Sequence, residues 1–305
     1  MFKNLTILRS PQGFMPDINR INEHLSIPNE LGSKWSIIRN NEPMLNIHNQ
    51  ILLVMETQKK SIPASVVKKE VEIRVKKFIT ETGDEAMAKS KSFLRDMKET
   101  VVEHLWAKAF VTSSFTKIWI DPVNGYTCID STSKGRVDEA VNLMIMSGMK
   151  FSRPDTKVDA GNFMRRMLIS DGDIDYGHVG QDCDFEFHVG RSCEIEGEGG
   201  RSIRYKNEPL DTEEVKTHLM SKMVNKLELS LDDSVSFVLH KGALAVSKLD
   251  ILGTNEADAE SKEEQFDNDF ILATGTYSKL VAALIDALGG EVSHESQQSQ
   301  EVEHA

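Results

Sequence analysis

The stretch that decides the fold is Lys117-Ile118-Trp119-Ile120-Asp121-Pro122-Val123-Asn124-Gly125-Tyr126-Thr127-Cys128-Ile129-Asp130-Ser131. Two apolar runs flank a four-residue break. Pro122 presets a turn dihedral, and Asn-Gly supplies the left-handed positions a chain reversal needs. Residues 117–121 and 126–131 are therefore expected as two strands joined by a tight turn.

The reading extends upstream. Residues 2–9 alternate as a strand, and 35–39 and 47–56 read as two more, the second centred on Ile51-Leu52-Leu53-Val54. Pro63 suits a helix start, where its missing N–H is not needed, and the helix is expected over 63–80. Val67, Val71, Val75, Phe78 and Ile79 share one face of it. A second helix is expected over 84–109, with Leu94, Met97, Val101 and Leu105 as its apolar stripe and Lys91, Arg95 and Lys98 beside it at the same steps.

Downstream, 136–147 reads as a Met-rich amphipathic helix that fills core space. Residues 163–170 and 185–195 read as strands, and 202–206 as a short basic strand. Asp211 with Glu214 three residues on has the spacing of a helix capping box. Residues 224–231, 235–240 and 244–249 form a meander, 256–264 an acidic loop, 270–274 a buried strand, and 279–288 a helix stopped by Gly289-Gly290. Residues 293–305 are polar, acidic and expected to be disordered. The fold class is α+β, with mixed, mostly antiparallel sheets and flanking helices. The divisions are 1–150 with the two basic helices, a β-rich region over 151–250, a strand-helix return over 251–291, and an acidic tail over 292–305.

The chain has 305 residues, 28% charged and 39% hydrophobic, a globular balance that excludes wholesale disorder. No window approaches the continuous apolar length of a transmembrane helix, and Met1–Ile7 lacks the charge and apolar run of a secretory signal. Three scattered cysteines, Cys128, Cys183 and Cys193, do not make a disulfide framework, and a cytoplasmic location is expected. The net charge of −12 is unevenly placed. From Asp250 to Ala305 there are 13 acidic and 2 basic residues, whereas 57–98 holds 11 basic against 6 acidic. Segregated charge lets a globally acidic chain bind a polyanion locally. Lysine-rich helices also serve as solvated surface, and charge alone does not choose between these.

Catalytic signatures are sparse. There is no phosphate-binding G-x-x-x-x-G-K-[ST] loop and no G-x-S-x-G elbow, and Gly197, Gly199 and Gly200 do not connect a strand to a helix. His178, Cys183, His188 and Cys193 are spaced by five, a period that splays ligands on strands instead of gathering them on one metal. Asp171, Asp173 and Asp175 open like a calcium loop, but Tyr176 stands where glycine is needed and Asp182 at the closing position. The same acids leave open a metal-dependent nuclease centred on 171–184, which needs carboxylates converging from different elements. No cofactor and no metal is assigned. Aromatics do not alternate with basic residues, so nucleic-acid binding would rest on phosphate contacts.

Three stretches resemble the bacterial recombination-associated RdgC family: Phe2-Lys3-Asn4-Leu5; Trp119 to Gly125, preceded by Lys108-Ala109-Phe110; and Phe266-Asp267-Asn268-Asp269-Phe270-Ile271-Leu272-Ala273-Thr274-Gly275, leading to Leu288-Gly289-Gly290-Glu291. The segment Ile62 to Lys68 also fits the family pattern. Length and element order agree over 1–291, with the weakest likeness at 150–200. The resemblance implies a non-enzymatic protein that binds DNA with little sequence preference. The family forms a ring-shaped homodimer of curved subunits around a basic channel and limits access of the RecA recombinase to DNA in the nucleoid. On this chain it implies DNA contacts at Lys68, Lys69, Lys76, Lys77, Lys91, Arg95, Lys98, Arg204 and Lys206, and a dimer interface at Lys108 and Phe110. Phe110 could equally continue a core face. Trp119, Phe270, Ile271 and Leu272 are expected in the core. A third reading is a protein-interaction module whose acidic C-terminal third binds a basic partner or mimics DNA.

Overall fold

Strands form where the sequence alternates or runs apolar, and here they join one sheet. A computed structural model of the chain describes residues 1–169, 185–232, 234–252 and 261–292. The elements in order are β1 (Asn4–Arg9), α1 (Ile18–Asn22), β2 (Gly32–Trp35), β3 (Met44–Ile47), β4 (Gln50–Lys60), α2 (Ala64–Thr82), α3 (Glu85–Ala88), α4 (Lys91–Trp106), β5 (Val111–Asp121), β6 (Tyr126–Ile129), α5 (Lys134–Met146), α6 (Ala160–Ile169), β7 (Phe187–Glu196), β8 (Ser202–Tyr205), α7 (Glu213–Leu219), β9 (Met223–Leu231), β10 (Val235–His240), β11 (Ala245–Ile251) and α8 (Lys262–Ala287). Among the described residues eleven strands make one sheet in the order β2-β4-β5-β6-β1-β11-β10-β9-β7-β8, with β3 also on β4. Every pairing between these strands is antiparallel. β1 sits at the seam, paired with β6 on one side and β11 on the other.

Strand alternation sends side chains to two faces, and each face builds its own core. Leu52, Trp119, Cys128 and Ile7 face α8, which supplies Phe270, Tyr277, Leu280 and Leu284; α6 and α7 extend this layer with Phe163, Met164 and Val215. Ile51, Leu53, Met55, Ile118, Ile120 and Ile129 face the other way and meet Ala140, Leu143 and Met144 of α5. Beyond the seam the alternate residues Lys226, Glu228 and Ser230 of β9, with Ser236, Val238 and His240 of β10, stay half-exposed.

Several expected elements differ. Residues 270–274 are not a strand but the middle of α8, because Phe266, Phe270, Thr274, Tyr277, Val281 and Leu284 repeat at three- and four-residue steps across Gly275. Leu272 is therefore 56% exposed instead of core, since two helical steps from Phe270 turn it away. Ser261 caps α8 by accepting from the Glu264 N–H. By composition α8 is long and apolar enough to cross a membrane, yet its apolar stripe is packed on the sheet. Of the strand expected over 163–170, residues 163–169 fall in α6 for the same periodic reason, with Asp159 accepting from the Gly161 and Asn162 N–H groups, and residue 170 lies outside the described residues. The helix expected over 84–109 is broken into α3 and α4, because Asp84 and Ser90 each cap a new start. Thr212, not Asp211, caps α7. The strand expected at 35–39 ends at Trp35, and β3 was missed. The tail over 293–305 lies outside the described residues.

The decisive stretch is tied down by one carboxylate. Asp121 is fully buried. Its Oδ1 accepts from the Val123 and Asn124 N–H groups at 3.1 and 3.2 Å and from Gln50 Nε2 at 3.3 Å. Its Oδ2 accepts from Asn124 Nδ2 and Ser278 Oγ, both at 2.7 Å. Gln50 in turn accepts from Trp119 Nε1 at 2.6 Å. Burial works to raise the Asp121 carboxyl, but the bonds from Asn124, Ser278 and Gln50 outweigh it and hold it below its ordinary 3.8. A depressed folded-state value contributes stability above the unfolded value that is lost as pH falls through the folded one. D121N is expected to cost about 1–3 kcal/mol at neutral pH, as donors lose their acceptor. In thermal melts across an acid series, the wild type should lose more Tm below pH 3.8 than the variant does; equal acid sensitivity would contradict this role.

Candidate nucleic-acid interface

β4 and β5 pair without interruption from Ile51 opposite Ile120 to Lys60 opposite Val111. The helices α2, α3 and α4 are therefore an insertion between the two strands of a hairpin, carried at the end of the β4–β5 ribbon. Arg74 meets His104 at 3.1 Å and the rings of Phe78 and Phe93 lie 4.6 Å apart, so α4 folds back along α2. Val67, Ala88 and Val101 are the buried residues of this arm. Gly83 ends α2 in the left-handed conformation that glycine adopts freely, at φ 71°. Lys60 Nζ donates to the Trp106 carbonyl at the root.

The arm displays its cations outward. Lys69 and Lys76 stand seven residues apart, two helical turns along one line of α2. Lys91, Arg95 and Lys98 form a corresponding line on α4 at steps of four and three. All seven arm cations named from the sequence are exposed. Lys77 has Glu81 at 3.7 Å, and Arg95 has Asp96 at 3.5 Å and Glu99 at 4.0 Å. These pairs are solvent-facing and weak. Lys68, Lys69, Lys76, Lys91 and Lys98 have no ion pair among the described residues.

Lys108 and Phe110 lie where the arm returns to β5. Phe110 is 86% exposed, so it does not continue the core face. A groove of about 370 Å³ next to it is lined by Pro28, Ile37, Glu56, Gln58, Val111 and Ser113. Phe115 and Ile37, both on this part of the molecule, are also more than half exposed.

Arg204 and Lys206 are at the other end of the sheet, on and just after β8. Lys206 is exposed. Arg204 is not free: its Nε meets Glu194 Oε2 at 3.2 Å. Lys226 Nζ reaches the same oxygen at 3.2 Å, and Asn225 Nδ2 reaches Oε1 at 3.3 Å. Burial works to raise the Glu194 carboxyl, and Lys226, Asn225 and Arg204 together outweigh it and hold it low. Sequence reasoning missed Glu194, Asn225 and Lys226, because residues thirty positions apart meet here only through strand register. It also missed Arg191, whose Nη2 donates to the Asn207 carbonyl at 3.1 Å beside Lys206.

The metal readings fall largely outside the described residues: Asp171, Asp173, Asp175, His178, Asp182 and Cys183 all do. Cys193 is buried in β7, which pushes its thiol up to about 11, while His188 is exposed. Among the described residues no group of three or more His, Cys, Asp or Glu side chains gathers as a metal site.

An arm held by three buried side chains should open more readily than the sheet that carries it. Hydrogen exchange is expected to show α2 and α4 amides less protected than those of β4 and β5. F93A should lower arm protection further and leave sheet protection unchanged; a matching loss in both would mean the arm is part of the global cooperative unit.

A family model described as "Putative exonuclease, RdgC" matches residues 1–291. The recombination-associated protein RdgC of Dechloromonas aromatica is 31% identical over 310 residues, covering 95% of this chain and 98% of that protein. Those of Janthinobacterium sp. (strain Marseille) and Burkholderia cenocepacia are 30% and 29% identical over 307 residues, each covering 95% of this chain and 98% and 96% of the relatives.

Proposed function

The chain belongs to the RdgC family of recombination-associated proteins, and on that premise we propose that it binds duplex DNA without sequence preference as a ring-closed homodimer. The observation that carries this reading is the projecting arm with five exposed lysines free of ion pairs among the described residues. Lysines at such spacing contact phosphates and release condensed counterions, which gives affinity without base readout. The acidic C-terminal third keeps the rest of the molecule off the polyanion, so the negative net charge is no obstacle. Bound in this way in the nucleoid of the cytoplasm, the protein restricts access of RecA to DNA and so modulates recombination. Arg204 and Lys206 stand as a second, weaker contact, because Glu194 already neutralises part of the charge of Arg204.

Ring closure rests on Phe110. An exposed ring beside a groove is the knob and socket that a two-fold contact requires, since each partner then offers both. Lys108 flanks that contact.

The first test is a variant with Lys69, Lys76, Lys91 and Lys98 each changed to Glu. It is expected to keep its melting temperature, because all four side chains are solvent-facing, and to lose duplex binding. Each single Lys→Ala change removes one cation from each protomer and should flatten the salt slope by about two units while weakening unrelated sequences equally. Unchanged affinity in the fourfold variant would remove the arm as the DNA surface. The second test is F110A, read by sedimentation. Burial of a phenylalanine is worth about 2–3 kcal/mol, so dimer dissociation should rise at least tenfold; an unaltered dimer would exclude Phe110 from the interface.

The family description also names an exonuclease. In the same binding assays, magnesium-dependent loss of end label, stopped by replacing Asp171, Asp173 and Asp175, would favour the nuclease reading over simple coating.

A further inference from the structure

Three neighbouring strands bring four polar side chains to one point on the half-exposed face. Glu194 lies on the central strand β7, directly opposite Arg204 of β8 on one side and Lys226 of β9 on the other. Both cations converge on Oε2 at 3.2 Å, and Asn225 Nδ2 takes Oε1 at 3.3 Å. The carboxylate is the sunken member of the group: its side chain is 15% exposed, against 60% for Arg204 and 37% for Lys226. Arg204 reaches it through Nε, and among the described residues its Nη groups meet no carboxylate. His240 follows Lys226 on the next strand and bonds Ser247 at 2.7 Å.

An arginine, a lysine and an amide donor arranged around one oxyanion make a phosphate-binding set. Here a carboxylate fills it. Two cations share a single negative charge, so the cradle remains net positive, and the oxyanion site it would offer to a ligand is already taken.

We propose that Glu194 is a built-in stand-in for a phosphate, occupying an anion cradle formed by Arg204, Lys226 and Asn225 and thereby limiting how many cations this face offers to a nucleic-acid backbone. The inference rests on the DNA-binding reading for its partner, while the cradle itself is a separate matter of geometry. It makes Glu194 a residue that sets affinity and not one that contacts DNA.

The test compares wild type, E194Q and E194A. Duplex affinity should rise about tenfold at moderate salt in both variants, and the salt slope should steepen by about one to two units as one or two cations become available. The gain of E194Q should disappear when Arg204 and Lys226 are also changed to Ala, because the cations it releases are then gone. Thermal melts in inorganic phosphate against chloride at equal ionic strength give a readout free of DNA: E194A should gain a phosphate-specific rise in Tm that wild type lacks. If wild type ignores DNA altogether, the DNA-binding reading fails and the phosphate melts still decide the cradle. Wild-type affinity in both variants with no phosphate-specific shift would overturn the proposal and leave the cluster as a tie between β7, β8 and β9. Should E194A not fold, E194Q, which keeps the side-chain shape and an oxygen for Asn225, decides by duplex affinity: a gain supports the proposal, and wild-type affinity overturns it.

Discussion

The buried carboxylate of Asp121 is the constraint on which the rest of the molecule depends. A lone carboxylate inside a core is costly, and this one persists because five donors surround it. Those donors come from three separate places: the turn after β5, the start of β4, and α8. The bonds therefore fix the root of the β4–β5 ribbon against the sheet's long covering helix. From that root the ribbon runs ten residue pairs outward and ends in the helical arm. The position of the arm's lysines is thus set, through the ribbon, by a network at the opposite end of the strands. Under the proposed function, removing the carboxylate loosens both fold and DNA binding, whereas altering the arm's surface touches binding alone.

The same layered logic separates the charges. α8 carries acids at its start, and Arg39 fastens to Asp267 at 3.0 Å there. The arm, with only three buried residues, spends little of its surface on packing and most on solvent-facing cations. A sparse core is a cost in local stability, and the exposure it leaves is what a phosphate-binding surface requires. On the half-exposed face beyond β1, positive charge is instead matched by Glu194, so the two basic regions named from the sequence are not equivalent.

Much of this was readable along the chain, and the exceptions have a common cause. The β5–β6 hairpin followed from Pro122 and Asn124-Gly125, α2 from Pro63 and its apolar face, and β9 to β11 from alternation. The apolar face and lysines of α2 were legible because both are local. The run Phe270-Ile271-Leu272-Ala273 misled because four apolar residues in a row suit either a buried strand or a helix, and only the repeat extending to Phe266 and Leu284 decides between them. The arm's place as an insertion within a hairpin could not be read, since it depends on Lys60 pairing with Val111 across the helices between them. Glu194 was invisible for the same reason: its partners are set by register, not by spacing in sequence. Arg204 was expected as a DNA contact with its charge counted as free, because its neighbour across the ladder, Glu194, was unknown.

The central claim is that this molecule reads the charge of DNA and not its sequence. The most direct measurement is the affinity of the wild-type protein for two unrelated duplexes across a salt series, with mass determined by light scattering in the same buffers. The account expects dimer mass, equal affinity for both duplexes, and a log–log slope of about minus nine, one counterion for each free arm lysine of the two protomers. A monomer with no measurable binding at low salt, or a shallow slope with strong preference for one duplex, would contradict it.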